Sequence, residues 1–481
     1  MDYPAHDMTP RPPAVVSEQD ARRWHESARR RAMLDGLWKS QLEERVRKMV
    51  GIVRQEAWGE TSLAINTFGN ICQELSVLYD TPPDIRHDQT GTDGITAAMR
   101  AAGTWSMMQR AQYYALGMGE VLIRVHATED GQLQTRPAFA DLCVCEATPE
   151  RPDLPVSVTE YRQRMVGASW RWTRDVLSVA DPENPVYRVE LVESAQSGNV
   201  EVSDISQDIL GASMSGDAYP YRRRDGRPVL PYVMYHARRT GFRLWSPYDW
   251  MELVEGTLDA AVLHQMYMHT WRDASWPQRW VVNLDVAGSH AATTTDGTPA
   301  SHVITDPASL LQLETPQNRD ENTQPMVGQF KPGGDIAVME RGIADFVARL
   351  AQSAGVPPSD IQRVTGQAQS GAAISLNNEG KRSAQKRYAE SFRDSDERLV
   401  MTAAILLNRA TSVGEAPTSY VEGGYRVVYR EIPVSPQERG ARLEEAEKML
   451  TLGLIDKAAA YRVVYPEATE ADAVAAVSGE E

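Results

Sequence analysis

The sequence predicts an α+β fold, mainly helical, with a small β-rich insertion between two of its helices. Three observations carry this expectation. A helical pattern of nearly 40 residues opens at SGAAISL, near Ser370, and runs to about Asn408. An alternating stretch, EVLIRVHA, is joined through the turn residues TEDG (128–131) to QLQTRPAF, the pattern of a β-hairpin closed at Asp-Gly. Residues 277–334 are dominated by Thr, Ser, Gly, Asp and Pro, and their apolar residues fall in short strand-like pieces.

The elements follow in order. The opening MDYPAHDMTPRPPAVV lacks the basic-then-apolar pattern of a signal peptide and reads as a disordered arm over 1–20, held open by Pro4, Pro10, Pro12 and Pro13. Residues 17–53 are charged and amphipathic, with Trp24, Leu34, Leu37, Trp38, Leu42 and Val46 as core positions. Ser17 followed by Asp20 fits a polar cap with an acid three residues on. A further apolar helix is expected over 62–79, stopped by Thr81-Pro82-Pro83, and another over 95–118, ending at Gly117 and Gly119. After the hairpin, strands are expected at 156–166, 169–179, 186–192 and within 228–235.

Residues 246–274 read as a long helix capped by Ser246-Pro247. Within the insertion, strands are expected at 279–284, 302–305 and 326–330. A helix over 335–354 follows, capped by Asp335 and halted by GVPP (355–358). In the long helix after it, Ala373, Leu376, Gly380, Ala384, Tyr388 and Phe392 form one stripe, rejoined by Leu399, Ala403 and Leu406. Lys381, Arg382, Lys386, Arg387, Arg393 and Arg398 fall opposite. Such a helix spans about 60 Å at ~1.5 Å per residue, a reach that rings and channels need more often than compact enzymes. A strand over 425–432 and an acidic helical tail, with ten acids and five bases in 435–481, close the chain.

Composition excludes several classes. With 481 residues, 42% hydrophobic and 24% charged, the chain has ample material for a core and no apolar run of membrane-spanning length. Three cysteines (Cys72, Cys143, Cys145) cannot build a disulfide framework and fit a reducing compartment. The net charge of −16 argues against tight nucleic-acid binding but not against a surface past which nucleic acid slides.

Catalytic patterns are missing. The chain has no GxxxxGK[ST] phosphate loop, no GxGxxG after a strand, no HExxH and no GxSxG, so an enzyme is not expected and no cofactor is implied. Cys143 and Cys145 share a strand face but lack two further metal ligands nearby, so chance packing is the better reading and no metal is expected. His264 and His269 stand about 140° apart on a helix and cannot share a metal as an i,i+4 pair could. Trp271, Trp276 and Trp280 cluster where the 246–274 helix enters the insertion; they could grip a partner or a base, but more simply seal a helix–strand junction. The 335–354 helix sets Asp335, Glu340, Arg341, Asp345 and Arg349 between the apolar Ile336, Val338, Met339, Ile343, Phe346, Val347 and Leu350. The plain reading is a solvated face; the sharper one is the wall of a channel.

Taken in order, several stretches resemble the portal proteins of tailed double-stranded DNA bacteriophages, particularly the SPP1-like group. NICQELSVLYDTPPDI resembles an early portal helix and its proline turn, and ALGMGEVLIRVHATEDGQLQTRPAF the wing hairpin. RPVLPYVMYHARR with SPYDWMELVEGTLDAAVLHQ resembles the strand and first stem helix, and SWPQRWVVN the entry to the clip. GVPPSDIQ and SGAAISLNNEGKRSAQKRYAESFRDSDERLV resemble the passage from the second stem helix to the long wing helix. The likeness covers about residues 40–465, in element order more than identity; the first 20 residues, the 211–226 loop and the short tail depart from it.

The resemblance implies a portal fold: an arm (1–20), a wing (21–245), a first stem helix (246–276), a clip (277–334), a second stem helix (335–355), a tunnel loop (356–371), a long wing helix with closing strand (372–434) and a helical crown (435–481). It implies a ring of about twelve copies at one capsid vertex, found in the virion and in the host cytoplasm during assembly. It implies, as partners, terminase, a head-completion adaptor, capsid and scaffolding proteins, and double-stranded DNA passing through, with no membrane. Glu340, Arg341, Asp345 and Arg349 would then line the tunnel, Arg363, Gln367 and Gln369 would sit on the tunnel loop, and Trp276 and Trp280 would mark the clip junction. A charge of −16 per chain, about −190 over twelve copies, suits a conduit that repels the duplex toward its axis. The alternatives are another oligomeric virion component, such as a head-completion or capsid protein, and a hydrolase or nuclease without a recognisable motif.

Overall fold

The computed structural model describes residues 16–51, 62–87, 91–128, 130–194, 200–210, 219–238, 250–275, 335–357, 371–410, 420–430, 436–466 and 470–478. It also describes a few isolated positions and six short strands between 279 and 329. The fold is mixed α and β, and the chain divides into two compact units. One comprises 1–41, 66–257 and 348–481; the other comprises 42–65 and 258–347.

The larger unit begins with α1 (Glu18–Leu34), capped as its sequence suggests: Ser17 Oγ accepts the Asp20 N–H at 3.1 Å and donates to the Asp20 carboxylate at 2.7 Å. After α2 (Lys39–Val50), α3 (Thr67–Leu75) is shorter than the expected 62–79. Asn66 sets its start, accepting the Gly69 N–H at 3.0 Å and donating to the Met33 carbonyl at 2.7 Å. The chain leaves the helix at Ser76, and the Leu78 N–H donates to Gln112 Oε1 instead of a helical carbonyl. The expected 95–118 helix is two helices, α4 (Asp93–Ala101) and α5 (Thr104–Met118), parted at Gly103, whose φ of 63° is left-handed.

The hairpin forms as predicted, from β2 (Glu120–Ala127) and β3 (Leu133–Phe139), with Val121 opposite Phe139 and Ala127 opposite Leu133. A strand from the expected 228–235 stretch, Tyr232–His236 (β9 below), pairs on the other side of β2 to complete a three-stranded sheet. A five-stranded antiparallel meander stands beside it: β4 (Cys143–Thr148), β5 (Arg151–Val166), β6 (Ser169–Ser178), β7 (Val186–Ser194) and β8 (Val200–Asp204), followed by the short α6 (Ser206–Leu210) and then β9. The last meander strand was not legible, because VEVSD exposes nearly every side chain and carries little apolar signal.

The helix α7 runs over Met251–Ser275, five residues later than expected; Ser246 and Pro247 lie outside the described residues. The helix α8 (Ile336–Ser353) and the 40-residue α9 (Gly371–Ala410) follow the insertion. Along α9, Ala384, Tyr388, Phe392, Leu399, Ala403 and Leu406 are all buried, so the stripe is real; the side chains of Ala373 and Leu376 lie outside the described residues. That stripe packs across β2, β9 and a two-stranded ribbon. The ribbon pairs a short strand at Asp84–His87 (β1) with Tyr425–Val428, shorter than the expected 425–432. Burying rings as large as Tyr235, Tyr388, Phe68 and Phe392 contributes about 1.5–3 kcal/mol apiece.

Two placements differ from expectation. Arg382, assigned to the solvated side of α9, is buried, while Lys386, Arg387 and Arg393 are exposed as expected. Leu37, assigned to the core, is exposed because it sits in the turn between α1 and α2. The tail folds as α10 (Pro436–Thr451), α11 (Lys457–Val464) and α12 (Glu470–Ser478) around Ala446, Ala460 and Val464.

In the smaller unit, Arg45 on α2 pairs with Asp259 on α7 at 2.7 Å, and the Ser62 N–H donates to Gln265 Oε1 at 3.1 Å. The insertion is a set of nested antiparallel pairs. Arg279–Val282 pairs with Met326–Gln329, Asp285–Val286 with Leu313–Glu314, and Ala292–Thr293 with Pro299–Ala300. The expected strand at 302–305 lies outside the described residues.

Candidate functional site

The helix α8 carries the residues singled out for a channel wall. Asp335 starts it: its Oδ1 accepts the Ala337 N–H at 2.9 Å and the Val338 N–H at 3.4 Å, a carboxylate set on the positive end of the helix dipole. One side of the helix is buried at Val347 and Ala351, with Ile336, Met339, Ile343, Phe346 and Leu350 half-buried. Val338, expected among the apolar set, is instead 63% exposed.

Glu340, Arg341, Asp345 and Arg349 are all exposed and spread over about 180° of helix surface. Among the described residues none of the four makes an ion pair or a hydrogen bond, although Arg341 and Asp345 have i,i+4 spacing. Two acids face two guanidiniums, so this surface carries charge without net charge. Such a face offers phosphates neither a condensing patch nor a strongly repelling one.

The helix ends in a Schellman arrangement. Gly355, at φ 78°, donates to the Gln352 carbonyl at 3.0 Å, and Val356 donates to the Ala351 carbonyl at 2.9 Å. Val356 is buried, and the Pro357 ring lies against α9 so closely that a Cβ at Gly380 would stand 3.2 Å from its Cγ. The chain leaving α8 is therefore seated on the long helix by ring-to-backbone contact, which a residue larger than glycine at 380 would obstruct.

No family model and no curated protein matches this chain. Solved structures do. One is a chain of "Virion of native gene transfer agent (GTA) particle", 12% identical, spanning 86% of this chain and 94% of that one at a TM-score of 0.39. Another is a chain of "Neck of empty GTA particle computed with C6 symmetry", 13% identical, spanning 84% and 93% at a TM-score of 0.41.

Arg363, Gln367, Gln369 and Trp276 lie outside the described residues. Trp280 stands opposite Gly328 in the first strand pair of the insertion, and Trp271, near the end of α7, is exposed. Among the described residues no group of three His, Cys, Asp or Glu is placed to hold a metal ion. Cys143 and Cys145 are free thiols, and burial pushes both upward. His269 is hydrogen-bonded to Gln265 at 3.2 Å, and His264 lies beside the Tyr267 ring. No described helix is long and apolar enough to cross a membrane.

Two buried polar centres escaped the sequence. Asp396, fully buried on α9, accepts the hydroxyls of Tyr79 and Tyr235 at 2.8 Å and of Tyr429 at 2.5 Å. Burial drives its carboxyl up, the three hydroxyl bonds draw it back, and the balance is about 7. Between the two larger sheets, Arg124 bonds Asp175 and Tyr187, while Glu160 accepts Arg136 at 2.5 Å and Tyr232 at 2.7 Å. Burial would raise Glu160, but the hydrogen bond and charge of Arg136, with Arg124 and Tyr232, outweigh it and hold the group at about 2. The partners stand 24 to 317 residues apart in sequence, and no local pattern announces them.

Proposed function

We propose that this chain is a portal protein: one subunit of a ring of about twelve copies that forms the DNA channel at a single vertex of a tailed-phage type of capsid. The observation that carries the reading is the succession from α7 through the nested strand pairs to α8, whose outer face holds four exposed, unpaired and mutually cancelling charges. A duplex conduit needs such a surface. Each phosphate neutralised by Lys or Arg releases counterions and holds the DNA in place, so a wall with surplus positive charge would bind where it should let slide.

In this reading α7 and α8 are stem helices around the channel, and the insertion is the clip that docks terminase and then the head-completion adaptor. The stretch after Pro357, with Arg363, Gln367 and Gln369, is the tunnel loop. The buried stripe of α9 makes that helix a strut in the wing, and the helices of the tail form the crown. The chain supplies a passage and no catalysis; the energy of translocation comes from a separate ATPase. Electron microscopy of the purified protein tests this directly. Rings of about a dozen copies with a central hole are expected, whereas a compact monomer that cleaves DNA would overturn the proposal.

A further inference from the structure

We propose that the cleft between the three-stranded sheet and the five-stranded meander is a binding site for a phosphate-class oxyanion, held chiefly by Arg162 with Arg164 beside it. This inference does not depend on the portal reading.

The cleft has a volume of about 700 Å³ and is lined by Arg124, His126, Thr135 and Arg136 from β2 and β3, by Arg162 and Arg164 from β5, and by Tyr187 and Tyr221. Strand alternation places Glu160, Arg162 and Arg164 on one face of β5, the face that looks into the cleft. Four guanidiniums thus meet two carboxylates. Arg136 is satisfied by Glu160 at 2.5 Å, Arg164 by Asp175 at 2.5 Å, and Arg124 by Asp175 and, at 3.4 Å, Glu160. Arg162 is left over: among the described residues no carboxylate lies within ion-pairing distance of it.

A half-buried guanidinium without a counterion, set between two others, is a costly arrangement unless something fills it. The strain is visible in its neighbours. Burial lowers the Arg162 guanidinium, and the charges of Arg136 and Arg164 lower it further. His126 is likewise lowered, first by burial and then by Arg124 and Arg136, so the cleft is electropositive as a whole. In the same wall the buried Thr135 hydroxyl has no hydrogen-bond partner among the described residues. The surplus of two positive charges matches a phosphate dianion, and the planar forks of Arg162 and Arg164 suit bidentate contact to its oxygens. A single carboxylate would leave one charge uncompensated.

The test uses the full-length protein and inorganic phosphate, followed by 31P line broadening. Saturable broadening is expected, competed by sulfate at matched ionic strength and weakened about tenfold or more in Arg162→Gln, the loss that goes with one charge-assisted bidentate contact. Arg162→Lys keeps the charge but not the fork, so partial retention is expected. Circular dichroism of both variants guards against misfolding. A short oligothymidylate displacing phosphate at lower concentration than sulfate would assign the source to nucleic acid; no displacement would assign it to free phosphate or a monoester. Equal broadening in wild type and both variants would overturn the site. So would displacement by a poly-glutamate peptide with no broadening by phosphate, since the cleft would then belong to a carboxylate partner.

Discussion

Asp396 and Glu160 are two buried carboxylates pushed in opposite directions, and the difference lies in what each one touches. Among the described residues Asp396 is hydrogen-bonded by hydroxyls and no cation; burial holds it near 7, above its ordinary 3.8. The folded state therefore binds the proton more tightly than the unfolded chain. This stabilisation is fully present below about pH 4 and is lost as pH rises through about 7. Asp396→Asn keeps an acceptor and adds a donor, so it is expected to flatten the pH dependence of the urea midpoint between pH 4 and 7. An unchanged slope would mean that Asp396 is not the group that titrates. Glu160 meets guanidiniums and is held at about 2, below its ordinary 4.5. Its stabilisation is present above about pH 4.5 and is lost as pH falls toward 2. Glu160→Gln breaks a buried pair and strands Arg136, which is expected to cost about 3–5 kcal/mol at neutral pH, measured by urea unfolding.

Helix ends decide how the elements connect. The GVPP stop is the best-read junction in the sequence, because glycine past a helix end and proline beyond it act through local backbone geometry alone. The sequence did not reveal that Pro357 would rest on Gly380, 23 residues further along the chain, so that one proline closes α8 and docks on α9. A Gly380→Ala side chain would stand 3.2 and 3.3 Å from the proline ring, and neither the ring nor a helix backbone yields readily. The expected cost is about 1–2 kcal/mol in chemical unfolding, within the range for overpacking. Gly342→Ala is the contrasting case. That glycine lies mid-helix on the exposed side of α8, with nothing among the described residues within 4 Å of a new Cβ. The same change there is expected to stabilise by about 0.5–1 kcal/mol. Element boundaries misread from sequence share one cause. Gln112 draws the backbone out after α3, and Gly103 splits what an apolar period would join; each is a tertiary or single-residue override of helical propensity.

For the molecule as a whole, the charge on the outer face of α8 makes the portal proposal testable beyond ring formation. Replacing Glu340 and Asp345 by Lys while keeping Arg341 and Arg349 takes that face from zero to +4 per chain. The assembled variant is expected to retain DNA more tightly, with a steeper loss of binding as salt rises, read by filter binding across a salt series. An identical salt slope in wild type and variant would remove α8 from any DNA-facing wall.

The hairpin with its Asp-Gly turn, the capped start of α1, the buried stripe of α9 and the stop after α8 were determined by the sequence itself. Each rests on periodicity or backbone preference within a few residues. The pairing of β1 with the strand at Tyr425–Val428, the three tyrosines around Asp396 and the arginine cleft between the sheets were decided only by tertiary structure. Those depend on which distant segments share a buried space. A buried charge is set by the neighbours that satisfy it, and these are not its neighbours in the chain.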